Sequence, residues 1–301
     1  MFFCNSGAEA VEAGFKLIRK YHDETGHPDR YRILSFEGSF HGRTLATITA
    51  GANAVHKAGF EPLPDGYDHV PFGNLNALRD AITPQTAAIL VEAVQGEGGI
   101  RIAGDDFLKG LRAACDEFGL LLMFDEVQTG IGRTGKLFAH EWSGVTPDVM
   151  AIAKGLGGGF PVGACLATEA AAVGITPGTH GSTFGGNPLA MAVANGVLDV
   201  LLADGFLAQV RDTGAALQAA AAELPSRWPR IIDSVRGVGL MIGIKSVIPA
   251  GELVAACNAA GLLTVPAADN VMRLLPPLII DQTHIDEAVA MIDSACGALG
   301  P

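Results

Sequence analysis

No stretch of this chain reads as a membrane span. No apolar run approaches the ~18 residues a spanning helix needs, and the opening MFFCNSGAEAVEAGFK has neither a basic start nor a long apolar stretch that would read as a secretion signal. The expectation is a soluble, unexported, cytoplasmic protein. Basic charge is also scarce: 20 Lys and Arg face 32 Asp and Glu, a net charge of −12. Binding a phosphate backbone relies on dense Lys and Arg to release counterions, so a nucleic-acid partner is not expected. The five cysteines are odd in number, widely spread and without a CxxC pair, which fits free thiols in a reducing compartment better than disulfides or a zinc site.

What the chain does have is glycine and apolar bulk. Its 301 residues, 49% hydrophobic, suffice for one large core, or one large core with a smaller companion. Thirty-nine glycines with only 17% charged residues suggest tight turns between buried elements, as in α/β proteins whose strands are covered on both faces.

The segments YRILSF (31–36), AAILVEAV (87–94), GLLLMFD (119–125) and VMAIA (149–153) read as buried parallel strands. Between them, Asp105 to Phe118 places Phe107, Leu108, Leu111, Ala114, Cys115 and Phe118 at helical spacing. This alternation implies a mostly parallel sheet with right-handed crossovers and helices on both faces. After a long helix over 187–202 the texture changes. DSVRGVGLMIGI (233–244), GLLTV (261–265) and NVMRLLPPLII (270–280), with helical patterns from Glu252 to Ala260 and from His284 to Leu299, read as a smaller α+β domain. The expected division is therefore residues 1–200 and 201–301. The motif NSGAEA begins at residue 5, leaving almost no chain for the strand that should precede it, so the chain is expected to start inside a domain.

Several motifs carry potential chemistry. Ser6, Gly7 and Ala8 open a helical pattern, where free N–H groups and the positive dipole end attract a phosphate; the same residues also suit a plain helix cap. Asp125 ends an apolar strand at the sheet's carboxyl edge, where α/β proteins keep their ligands, and a carboxylate buried there needs a cationic partner. Lys154 ends another such strand and runs into glycines that let a ligand approach the backbone. It is either a structural salt-bridge partner of Asp125 or a nucleophilic amine. Ser182 and Thr183 offer hydroxyls in a glycine-bounded loop. Phe40, beside His41, can stack on a planar ring, and Arg43 can grip a carboxylate. Glu92 and Glu97 flank a turn, and Arg273 precedes a Pro-Pro stop.

Taken together, NSGAEA, SFHGRT, VEAVQGEGG, LLLMFDEVQTGIGRTG, DVMAIAKGLGGGFPVGA, HGSTFGGNP and RLLPPL resemble the class-III aminotransferases of the ornithine and acetylornithine type, from residue 1 to nearly 301. The resemblance implies a fold-type-I transferase dependent on pyridoxal 5'-phosphate, acting as a homodimer with shared active sites. Lys154 would bond the cofactor covalently, Asp125 would pair with its pyridine nitrogen and Gln128 would approach its ring hydroxyl. Ser6, Gly7 and Ala8 would hold its phosphate, Phe40 would cover its ring with His41 alongside, and Thr183 would reach the phosphate of the neighbouring subunit. Arg43 and Arg273 would take substrate carboxylates beside Ser182, with Glu97 pairing Arg273 between substrates, and 2-oxoglutarate would accept the amino group.

Among the family's donors, PLPDGYDHVPFGNLNAL and GLLTVPAADNVMRLLPPLII look most like the acetylornithine type of arginine biosynthesis; ornithine, succinyl-diaminopimelate and 4-aminobutyrate are the alternatives. The family also carries a longer segment before NSGAEA, so the resemblance implies pocket walls supplied from outside this chain, and an inactive fragment is a further alternative. A nicotinamide-dependent oxidoreductase fits poorly, because GLGGGF lacks the GxGxxG spacing.

Overall fold

The computed structural model describes residues 1–300. They form two compact units: Met1–Ala93, Ala103–Ile131 and Phe138–Val200 make the first, while Val94–Ile102, Gly132–Leu137 and the chain from Leu201 onward make the second. In chain order the strands are β1 (Phe2–Cys4), β2 (Arg32–Phe36), β3 (Tyr67–Val70), β4 (Thr86–Val91), β5 (Val94–Gln95), β6 (Arg101–Ile102), β7 (Leu121–Asp125), β8 (Val149–Ile152), β9 (Gly163–Ala167), β10 (Ile232–Val238), β11 (Met241–Ser246), β12 (Val265–Ala267) and β13 (Val271–Leu274).

The first unit is built on a seven-stranded sheet of order β1-β9-β8-β7-β4-β2-β3. Five neighbouring strands, β3, β2, β4, β7 and β8, run parallel, and β9 runs antiparallel to both β8 and β1. Every residue of β4 and β7 is buried, so successive side chains must be covered on opposite faces. On one face the helix Gly7–Glu24 lays Ala10, Val11, Phe15 and Ile18 against Leu90, Met123, Val149 and Cys165. On the other, Phe36 meets Phe107 of the helix Asp105–Phe118 edge-on, with ring centroids 5.4 Å apart. That helix stops at Gly119, which takes the left-handed conformation (φ 66°) that a residue with a Cβ adopts only at a cost.

The second unit contains an antiparallel sheet of order β10-β11-β13-β12 and the ribbon β5–β6. The expected strand GLLTV is corrected here: only its last residue is extended, in β12, and the preceding four residues are not strand. β12 is an edge, and that is where Pro266, without an N–H to give a further neighbour, can sit. The apolar run to Ile280 likewise yields a strand only as far as Leu274, because Pro276 and Pro277 cannot continue a ladder. Val94 and Ile100 of the ribbon region pack with Met241 and Val271. All five cysteines are buried and free, and among the described residues no single helix is long and apolar enough to cross a membrane.

β1 is only three residues long, yet it seats the start of the Gly7–Glu24 helix by pairing Cys4 with Gly163. A Cβ on Gly163 would stand 2.7 Å from the Ser6 carbonyl oxygen, a backbone atom with nowhere to go. Gly163→Val should therefore lower stability by roughly 1–3 kcal/mol, measured by thermal or urea denaturation; an unchanged midpoint would contradict this packing.

Candidate active site

Parallel strands aim their carboxyl ends the same way, and in this sheet β4, β7 and β8 are neighbours. Their ends deliver Glu92, Asp125 and Lys154 to one pocket of about 390 Å³, which Ser6, Gly7, Ala8, Phe40, His41 and Gln128 also line.

Asp125 is the fixed point of this pocket. It is 4% exposed, its Oδ1 accepts the Val127 N–H at 3.0 Å, and its Oδ2 lies 2.7 Å from His41 Nδ1. Because a carboxylate can only accept, His41 carries its proton on Nδ1. Burial alone would push the His41 imidazole down, but the hydrogen bond and charge of Asp125, with Glu92 adding to them, outweigh burial and raise it above the ordinary histidine range. The pair is thus a buried, charge-assisted contact.

Lys154 lies just beyond the end of β8 and takes a left-handed backbone (φ 44°), an uncommon and costly conformation for a residue with a side chain. Of its two readings, the salt bridge with Asp125 is not formed. Among the described residues Lys154 makes no ion pair, and Asp125 is held instead by His41 and the Val127 amide. The amine is left available at the pocket wall.

Ser6 caps the helix Gly7–Glu24, its hydroxyl oxygen accepting the Glu9 N–H. Glu9 returns the favour by accepting from the Asn5 backbone and side chain at 2.8 and 3.0 Å. The cap leaves the first-turn N–H groups of Gly7 and Ala8, which a helix cannot pair internally, at the pocket wall.

The other expected residues lie elsewhere. Arg43 is exposed and outside the pocket lining, its guanidinium 5.6 Å from the Phe40 ring centre and its Nη2 3.2 Å from His56 Nε2. Ser182 Oγ accepts from Gly185 N–H and from Asn5 Nδ2 at 3.0 and 3.3 Å, while Thr183 is exposed and not a lining residue. In the second unit, Arg273 Nη1 donates to Glu97 Oε1 at 2.8 Å and Nη2 donates to the Pro266 carbonyl at 3.2 Å.

Two acidic residues matter more than their sequence context suggested. Glu92 is 5% exposed, lines the pocket and accepts the Phe40 N–H at 2.9 Å. Burial, and the nearby charge of Asp125 against that of His41, push its carboxyl up to about 7. The signal was present, since Glu92 follows the apolar strand β4 much as Asp125 closes β7. Glu126 is fully buried, accepts from Thr129 Oγ1 and from the His140 N–H, and so pins the turn that presents Val127 and Gln128.

The family model described as Aminotransferase class-III matches residues 1–296. The chain is 57% identical over 299 residues to the acetylornithine aminotransferase of Agrobacterium fabrum, an alignment covering 99% of this chain and 75% of that protein. Its fold is similar to the crystal structure of N-acetylornithine aminotransferase from Stenotrophomonas maltophilia, with TM-score 0.84 and 36% identity over 99% of this chain and 74% of that one. It is similar also to the ornithine aminotransferase of Toxoplasma gondii in a structure with partial occupancy of PLP at the active site, with TM-score 0.93 and 32% identity over 99% and 72% of the two chains. A pocket joining a carboxylate, an unpaired lysine and a helix N-terminus thus occurs in a chain that, by its sequence, belongs to the class-III aminotransferases.

Proposed function

We propose that this chain binds pyridoxal 5'-phosphate in the pocket of its first unit and moves the terminal amino group of N-acetylornithine to 2-oxoglutarate, a step of arginine biosynthesis. The donor is inferred from the relatives named for it. The observation that carries the cofactor reading is an amine without an ion-pair partner, Lys154, sharing a pocket with a carboxylate already held by its neighbours, Asp125.

The residues present fit the group. The N–H groups of Ser6, Gly7 and Ala8 would take its phosphate at the positive end of the helix dipole. Asp125, oriented by Val127 and His41, has lone pairs left for a ring nitrogen, and Gln128 would meet the ring hydroxyl. Phe40 supplies an apolar wall for a planar ring. When bound, pyridoxal phosphate supplies a carbonyl carbon that condenses with amines and a protonated ring that draws electrons from the bond being broken. Asp125 keeps that ring proton in place by its negative charge. Lys154 Nζ would hold the group covalently as a nucleophilic amine and, once displaced by the incoming amine, would take and return the proton of the substrate carbon as a general acid and base.

Arg43, Ser182 and Arg273 are assigned to the substrates, with Glu97 balancing the Arg273 charge between turnovers. The exposure of Thr183, with Phe184 71% exposed next to it, supports a homodimer in which Thr183 serves the phosphate of the neighbouring subunit. Five free, buried thiols suit a cytoplasmic location.

Lys154→Ala should lower turnover by at least ~10²-fold while the chain still binds pyridoxal phosphate noncovalently, as equilibrium dialysis would show; full activity would sink the assignment. Asp125→Asn should reduce kcat by roughly 10²–10³, with overall fold unchanged by circular dichroism. Arg273→Ala should raise the KM for 2-oxoglutarate by roughly tenfold or more, the loss of about one charge-assisted bidentate contact. In a panel of donors, kcat/KM should be highest for N-acetylornithine, and a higher value for ornithine or 4-aminobutyrate would move the assignment to that substrate.

A further inference from the structure

Residues 39–42 lie within the connection from β2 to the next helix and are neither helix nor strand, yet they supply both Phe40 and His41 to the pocket. Two carboxylates from adjacent strands hold this segment. From the end of β7, Asp125 takes the His41 side chain at 2.7 Å. From just past the end of β4, Glu92 Oε1 takes the Phe40 backbone N–H at 2.9 Å. Glu92 makes no ion pair among the described residues, so its burial is not offset by a cation in contact. Burial and the neighbouring Asp125 raise its carboxyl to about 7, which marks the carboxyl as a strained choice for stability alone.

We infer that Glu92 is a positioning residue of the aminotransferase site, fixing the Phe40–His41 segment through the Phe40 N–H so that the Phe40 wall and the His41–Asp125 contact keep their places. The hydrogen bond does this, and the charge is secondary. The structural part stands on the contacts alone; its consequence for cofactor binding rests on the reading of the pocket proposed above.

Two mild variants separate reach from charge. Glu92→Asp keeps the carboxylate but is one methylene too short for the Phe40 N–H, whereas Glu92→Gln keeps an acceptor oxygen at the same reach and loses the charge. Hydrogen–deuterium exchange of a peptide covering residues 39–43, read on the intact chain, should speed up by roughly tenfold in Glu92→Asp and stay within about twofold of the parent in Glu92→Gln. The dissociation constant for pyridoxal phosphate, followed by absorbance, should rise by roughly the same factor in Glu92→Asp alone. Parent-like exchange in Glu92→Asp, or equal acceleration in both variants, would overturn the inference. If the parent chain itself binds no cofactor, the reading of the pocket fails, and the exchange rates still decide the role of Glu92.

Discussion

A carboxylate at the end of a wholly buried strand is costly unless donors surround it, and the contact between Asp125 and His41 meets that requirement in this protein. The two residues are 84 positions apart, so the contact exists only once the parallel sheet is assembled, with β7 between β4 and β8. Asp125 is held by His41 and the Val127 amide, while Lys154, one strand over, makes no ion pair with it; an amine free of any ion pair is what a carbonyl cofactor requires. Had the two charges paired with each other, the same residues would make an inert salt bridge.

Around this contact the backbone does much of the remaining work. The cap at Ser6 directs unpaired N–H groups into the pocket while Glu9 ties down Asn5. The turn after β7 is held from beneath by Glu126 through Thr129 and His140, and the Phe40–His41 segment by Glu92. Three walls of the pocket are therefore fastened by a carboxylate or a hydroxyl that lies in or beside the pocket itself.

Much of this was legible in the residues. Largely apolar runs gave β2, β4, β7 and β8, because strands covered on both faces do not alternate polar and apolar, and the spacing from Phe107 to Cys115 gave the helix that ends before Gly119. Asp125 and Lys154 stood out as charges at the ends of such strands. The partner of Asp125 did not, since strand order is a property of long-range pairing that local spacing does not record. Glu92 and Glu97 look alike in the string VEAVQGEGG, yet the first lies in the first unit and the second, with β5 and β6, in the second. The extended course of GLLTV failed for the opposite reason: its β-branched and leucine content suits a strand, but the strand lies at the edge and starts only at Val265.

The most direct test of the central claim, a free Lys154 amine next to a held Asp125 carboxylate, is the visible absorbance of the purified chain with pyridoxal phosphate, before and after N-acetylornithine and then 2-oxoglutarate. The account predicts a band that requires Lys154, bleaches with the donor and returns with the keto acid. A band equally strong in Lys154→Ala, or one that neither substrate alters, would contradict it.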